Sequence, residues 1–383
     1  MTLAPQAPRL GMVAGETSGD LIASLMLRGL QARWPGLEAG GIGGPRLVEA
    51  GFDAWFPSER LAVFGYVDAL LRIRELLSIR KRTGDRLIAE RPDVFVGVDA
   101  PDFNFGLETR LRAAGLKTVH FVCPSIWAWR GERTAKLKAA ADHVLCLFPF
   151  EPALLHAHGI AATYVGHPLA DKIPLEPPRA AARARLSLPD DATVVALLPG
   201  SRKSEIVHIG PRVVRAALLM RARQPALRFV LPAAPGQAAR IHAIVAQAGA
   251  ADVVQVLDGG SHDALAACDV TLIASGTATL EAALFKRPMV ITYALNGFNW
   301  RRMRKMSYQP WVGLPNILCR EFVVPELLQH DATPEALARA TLAWLDDPAR
   351  VSALQARFTD LHHVLRQDTA RRSADAIAQL IAR

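Results

Sequence analysis

The groups able to do chemistry fall at a few points of this 383-residue chain, each directly after an apolar run. In "ASGTATLEAAL", Ala274 to Leu284, the single charge is Glu281, four residues after Thr277 and so on the same face of a helix. "SGT" supplies an N-cap and a glycine, Gly276, where that helix begins. The unpaired N–H groups of such a start hold an anion, and the hydroxyls of Ser275, Thr277 and Thr279 add donors. A ligand with phosphates at the helix tip can offer a vicinal diol to Glu281, as a nucleotide ribose does. Taken alone, the stretch reads first as an ordinary helix with a solvated glutamate. A second stretch, "LPGSRKSE", changes the balance: the Gly200 turn forms a nest of N–H groups followed by Ser201 and the bidentate guanidinium of Arg202. Two anion-binding turns and one diol-binding carboxylate together point to a nucleotide diphosphate site.

Other carboxylates sit earlier in the chain. Asp99, in "VFVGVDAPDFN", follows a buried run and precedes Pro101; it is either an acceptor for backbone N–H groups or a general base. Asp102 beside it reads as a helix cap. Glu16 and Asp20 make the loop "GETSGD" acidic, which suits sugar hydroxyls better than a pyrophosphate, and Asp20 reads as a cap. Neither that loop nor "GGIGGPR" matches a dinucleotide fingerprint. "CPSIWAWRGER" sets Trp127 and Trp129 beside Arg130 and Arg133, indoles for sugar rings or acyl chains and guanidiniums for phosphate, although core packing is the default for any single tryptophan.

These positions require strands to carry them. Leu10 to Ala14, Val94 to Val98, Thr118 to Val122, His143 to Leu147 and Thr163 to Val165 alternate with helical patterns, the signature of a parallel, doubly wound sheet. The proline-rich "HPLADKIPLEPPR", His167 to Arg179, reads as a linker. A second series follows at Thr193 to Leu198, Leu227 to Leu231, Val253 to Val256, Val270 to Ile273 and Met289 to Thr292, and after Pro334 the pattern is helical. We expect an α/β protein with two Rossmann-like domains facing a cleft: residues 1–170, residues 171–345, and C-terminal helices over 346–383 that pack back on the first domain or on a partner chain. Ligands of such sheets bind beyond the carboxyl ends of the strands.

Composition narrows the partners. At 51% apolar residues the chain is not disordered, and no apolar run reaches the ~18 residues of a membrane span. "MTLAPQAPRL" carries no export signal, and four scattered cysteines fit a reducing cytoplasm without zinc or disulfides. The net charge of +9 favours an anionic partner. Nucleic acid is disfavoured, because the basic residues cluster with apolar ones. Leu61 to Arg82 is one such segment, with Phe64, Tyr66, Leu70 and Leu71 ahead of Arg72, Arg74, Arg80, Lys81 and Arg82; it reads as a monotopic membrane contact or as a helix covering the core. Phe298 to Gly313 is a second.

"AGETSGD", "GIGGPRL", "GVDAPDFN", "CPSIWAW", "VGHPLAD", "LLPGSRKSEI", "ASGTATLEAAL" and "VGLPN", in this order and spacing, resemble bacterial lipid A disaccharide synthases over nearly the whole chain. The resemblance implies a GT-B glycosyltransferase joining UDP-2,3-diacylglucosamine to 2,3-diacylglucosamine 1-phosphate with inversion, in lipid A biosynthesis. It would act on the inner face of the cytoplasmic membrane as a peripheral protein, with a homodimer as one possible assembly. It places the essential aspartate at Asp99 and Glu16 in the catalytic centre. Gly200, Ser201, Arg202, Ser275, Gly276, Thr277, Glu281 and Asn316 fall in the UDP site, and Gly43, Trp127, Trp129, Arg130 and His167 on the acceptor side. No D-x-D motif is present, so a reaction without metal or other cofactor is expected. The alternatives are a UDP-N-acetylglucosamine epimerase of the same architecture and a non-catalytic UDP-sugar-binding protein.

Overall fold

The computed structural model describes residues 7–15, 17–61, 66–128, 131–294 and 309–382, without the side chains of Thr17 and of residues 66–71. The chain forms two compact units, residues 1–171 with 364–383, and residues 172–363.

The first unit is built on seven strands, β1 (Arg9–Ala14), β2 (Glu38–Gly43), β3 (Asp53–Pro57), β4 (Val94–Val98), β5 (Thr118–Phe121), β6 (His143–Cys146) and β7 (Ala162–Tyr164). They lie in the order β3-β2-β1-β4-β5-β6-β7. All pairs are parallel. Every residue of β4 is buried, as is every residue of β1 after Arg9, because helices cover both faces; such strands read as continuous apolar runs, not as alternation. The connecting helices are α1 (Thr17–Arg33), α2 (Pro45–Glu49), α3 (Tyr66–Glu90), α4 (Pro101–Ala113), α5 (Arg133–Ala140) and α6 (Glu151–Ala157).

Six strands build the second unit: β8 (Val194–Leu198), β9 (Arg228–Ala233), β10 (Val254–Asp258), β11 (Val270–Ala274), β12 (Met289–Tyr293) and β13 (Glu326–Leu328), in the order β10-β9-β8-β11-β12-β13 and again all parallel. Its helices include α7 (Pro168–Lys172), which runs across the boundary of the units, then α8 (Arg179–Arg185), α9 (Lys203–Arg223), α10 (Ala238–Gln247), α11 (Ser261–Ala267), α12 (Thr277–Leu284), α13 (Leu314–Cys319), α14 (Pro334–Leu345) and α15 (Pro348–Leu365).

The last helix, α16 (Thr369–Ala382), returns to the first unit. It lies so close to α1 that a Cβ on Gly29 would stand 2.4 Å from the Cβ of Ala370. Lys117 donates from Nζ to the carbonyls of Leu380 and Ile381 at its end, where cations suit the helix dipole. The C-terminal stretch is thus divided between the units, α15 lying almost wholly in the second and α16 in the first.

Three strands lie outside the apolar runs read from the sequence: β2 is glycine-rich and buried only over its last three residues, β3 is a half-buried edge strand, and β13 has only three residues, none fully buried, so none makes a long apolar run. The segment read as a linker is partly core: His167, Pro168, Leu169 and Ala170 are buried, the last three in α7.

Candidate functional site

In each sheet the strand order reverses direction at one place, between β1 and β4 and between β8 and β11. A crevice opens at such a switch point, since the flanking connections leave on opposite faces. The strand ends there carry the candidate residues. Ala14 pairs with Val98, so Gly15 and Asp99 emerge side by side; Ile273 pairs with Leu198, so the turns 199–202 and 275–277 also emerge together.

Asp99 and Ala100 both take left-handed backbone conformations, with φ of 50° and 42°. This costs about 1–3 kcal/mol per non-glycine residue and persists only where the surroundings enforce it. Here the Asp99 N–H donates to the Phe121 carbonyl at 2.9 Å, and the buried Asn104 donates from Nδ2 to the Asp99 carbonyl at 2.8 Å. The backbone is clamped, and among the described residues nothing hydrogen-bonds the carboxylate. Among the described residues no backbone N–H donates to that carboxylate, as one of its two readings would require. Asp102 is no cap either: Arg133 grips both its oxygens at 2.8 Å, and that arginine, expected to hold phosphate, is engaged.

Asp20 caps a helix other than its own. Buried in the first turn of α1, it accepts the N–H groups of Gly44, Arg46 and Leu47 at 2.9, 3.0 and 3.2 Å, at the start of α2. Gly43, ending β2, is packed so tightly that a Cβ would lie 2.8 Å from Leu47. Glu16, Trp129 and Arg130 lie outside the described residues.

Farther along the same sheet edge, Trp127 follows β5, Phe148 and Phe150 follow β6, and His167 follows β7. Trp127 stands edge-on to Phe148 and Phe150, with centroids 6.2 and 5.3 Å apart, and Phe148 stacks on His167 at 6.0 Å. Burial pushes His167 down to about 4, so its imidazole is neutral near pH 7, and Nδ1 accepts the Leu169 N–H at 3.2 Å. Beneath the rings lies Glu151, a residue that the sequence reading missed. Its Oε1 accepts the Trp127 indole N–H and its Oε2 the Phe148 N–H, each at 3.0 Å, and burial pushes its pKa up to about 8.

In the second unit the Gly200 turn has φ of 109°, a region that favours glycine. Its N–H groups are engaged: Glu205 accepts from Ser201 at 3.1 Å and Arg202 at 3.2 Å, while Arg202 Nη1 reaches its other oxygen at 3.3 Å. The nest expected to hold phosphate is filled by the chain's own capping carboxylate, because Glu205 is the third residue of α9. At the second turn Gly276 has open space where a Cβ would project, α12 has no side-chain cap, and Thr277 is exposed. Of the three hydroxyls proposed as donors there, two serve the fold: Ser275 donates to the Val312 carbonyl at 2.9 Å and Thr279 to Gly276 at 2.8 Å. Glu281 follows Thr277 by one turn, 19% exposed, with His262 Nε2 3.6 Å away.

Asn316, expected in the UDP site, has its side chain engaged within the fold. It is fully buried; its amide donates to Val324 at 2.9 Å and Glu326 at 2.8 Å, and its oxygen accepts from Val324 at 3.0 Å. Glu326 in turn accepts the N–H groups of Val312 and Gly313 at 2.9 Å, and burial raises its pKa. Asn316 and Glu326 thus fix the 312–316 segment to which Ser275 is tied.

The family "Lipid-A-disaccharide synthetase" matches residues 10–381. The chain is 59% identical to the lipid-A-disaccharide synthase of Verminephrobacter eiseniae, with all of both chains covered. Among solved structures it resembles a glycosyltransferase of Rickettsia africae (TM-score 0.59, 11% identity, 99% of both chains). It also resembles a UDP-GlcNAc 2-epimerase of Neisseria meningitidis (TM-score 0.68, 11% identity, 98% of this chain and 99% of the other). At such identities these two likenesses concern the fold alone, two Rossmann-like units of GT-B type.

Proposed function

The chain belongs to the lipid-A-disaccharide synthase family and is a glycosyltransferase of lipid A biosynthesis, and we propose that it joins UDP-2,3-diacylglucosamine to 2,3-diacylglucosamine 1-phosphate through the residues at its two switch points. The epimerase reading is not favoured, since the full-length relatives at high identity are synthases.

The observation that carries the mechanism is the Asp99 carboxylate, held at a strand end on a clamped backbone with no described group bonded to it. A carboxylate so placed is available to take the proton of an acceptor hydroxyl while that oxygen attacks the donor's anomeric carbon from the side opposite UDP. The new glycosidic bond forms as the bond to the UDP oxygen breaks, which gives inversion. Charge then grows on the pyrophosphate, where the uncapped start of α12 and the exposed Arg202 guanidinium favour it. The position of Glu281, a turn beyond Thr277 on α12, supports a contact to the ribose diol. The half-buried rings of Trp127 and Phe150, backed by the buried Phe148, form an aromatic face that suits the acyl chains of the acceptor.

Both lipids reside in a membrane, and among the described residues no helix is long and apolar enough to cross one. Peripheral attachment through α3 is supported by Ile73 and Leu77, one turn apart and about half exposed, beside the exposed Arg74. Phe64 lies outside the described residues, as do the side chains of Tyr66, Leu70 and Leu71. Farther along, Ile79 and Leu87 are buried, so that part of α3 covers the core.

The test is incubation with radiolabelled UDP-diacylglucosamine, with and without the monosaccharide phosphate. Label is expected in a disaccharide only when acceptor is present; release of free sugar regardless of acceptor would refute the transfer.

A further inference from the structure

Glu151 is a carboxyl group with almost no exposure, and among the described residues no cation pairs with it. Burying such a group is unfavourable relative to an apolar side chain unless its oxygens are bonded, and the raised pKa reflects this. Capping the turn that opens α6 requires only one oxygen, the one that accepts the Phe148 N–H. The second accepts the indole N–H of Trp127, 24 residues away and after a different strand. That bond fixes the direction of the indole plane. Trp127 then stands nearly perpendicular to Phe150, at 89°, while Phe148 and Phe150 stack within 11° of parallel. A single carboxyl therefore holds two of the three apolar rings by separate oxygens, Trp127 by its side chain and Phe148 by its backbone. Phe150 is the residue just before it.

We propose that Glu151 is a positioning residue for the acceptor, setting the indole of Trp127 at the angle at which the aromatic face receives an acyl chain. This rests on the assignment of that face to the acceptor's acyl chains. Glu151 touches no substrate; it acts through Trp127. Either protonation state of a carboxyl can accept from both N–H groups, whereas an amide has one acceptor oxygen and must release one of them.

The experiment is a steady-state double-mutant cycle on the full chain with Glu151→Gln, Trp127→Phe and the pair, varying the diacylglucosamine 1-phosphate acceptor and the UDP-sugar donor separately. Trp127→Phe keeps an aromatic ring but removes the N–H. Each single variant is expected to raise the acceptor KM by roughly tenfold, the upper range for one lost hydrogen bond, with donor KM and UDP affinity unchanged. The double variant is expected to be no worse than either single one, since both remove the same contact. An unchanged acceptor KM in Glu151→Gln, or additive effects in the pair, would leave Glu151 a cap of the α6 turn and overturn the proposal. Should Glu151→Gln fail to fold by circular dichroism, Trp127→Phe alone decides: a normal acceptor KM refutes the positioning role. Trp127→Ala separates the underlying assignment. If it too leaves the acceptor KM unchanged, the aromatic face does not receive the acceptor; if it raises KM while Trp127→Phe does not, the face stands and only the role of Glu151 falls.

Discussion

A Cβ placed on Gly200 would lie 2.5 Å from Oε2 of Glu205, the oxygen that accepts the Ser201 and Arg202 N–H groups. Close approach and the φ of 109° both require glycine there. Gly276, at the neighbouring strand end, is different: nothing lies within 4 Å of its Cβ position. Gly200→Ala is therefore expected to lower stability by about 1–3 kcal/mol in urea denaturation. Gly276, with φ of 154°, also holds a backbone conformation that suits glycine, so Gly276→Ala is expected to lower stability too, and in addition to weaken UDP binding, because its methyl projects into open space at the start of α12. Unchanged UDP affinity in a folded Gly276→Ala variant would remove that turn from the nucleotide site.

Asp99→Asn preserves shape and the backbone clamp but cannot take a proton. Turnover is expected to fall by at least ~100-fold, the lower range for a lost general base, with UDP affinity unchanged. Turnover close to that of the unaltered chain would show that another group removes the proton.

Glu281→Gln tests the ribose contact. UDP affinity should fall by ~10–100-fold, equivalent to the ~1.5–3 kcal/mol of a charge-assisted hydrogen bond. The unaltered chain should lose about as much when offered 2′,3′-dideoxy-UDP, and the variant should not distinguish the two nucleotides. Calorimetry reads both; a variant that still prefers UDP would place the diol elsewhere.

Two buried groups in the first unit give opposite pH slopes. His167 titrates at about 4 in place of 6.5, so between those values the unfolded chain binds the extra proton and stability is lost as pH falls. Glu151 titrates at about 8 in place of 4.5, so the folded chain holds the extra proton and stability falls as pH rises through that window. Each slope approaches ~1.4 kcal/mol per pH unit within its window, and the two oppose each other where the windows overlap. Denaturation from pH 4 to 9 should show His167→Asn losing the acid-side decline and Glu151→Gln the alkaline-side decline. Variant profiles parallel to that of the unaltered chain would contradict both assignments.

Ile73 and Leu77 give the membrane reading a sharper test than the residues named from sequence. Replacing both with serine should reduce binding to vesicles rich in anionic lipid and leave UDP affinity intact, with the remaining binding weakened by salt. Undiminished sedimentation of the folded variant with vesicles would move the contact away from this face of α3.

Sequence alone determined the two series of parallel strands and put the charged or glycine-rich turns at their carboxyl ends, because buried parallel strands are continuous apolar runs and turns need particular residues. It did not reveal which polar group each donor meets, since those partners are brought together by folding. Asp20 bonds α2 from α1, Glu151 holds an indole from another strand's loop, and Asn316 is enclosed by Val324 and Glu326. Even the local Glu205 contact was hidden, because its N-cap is Arg202 and not a serine or threonine. Residue type and spacing tell which groups are able to bind an anion or take a proton. Only the tertiary structure decides which of them are already bonded, because burial forces each polar group to find a partner within the fold.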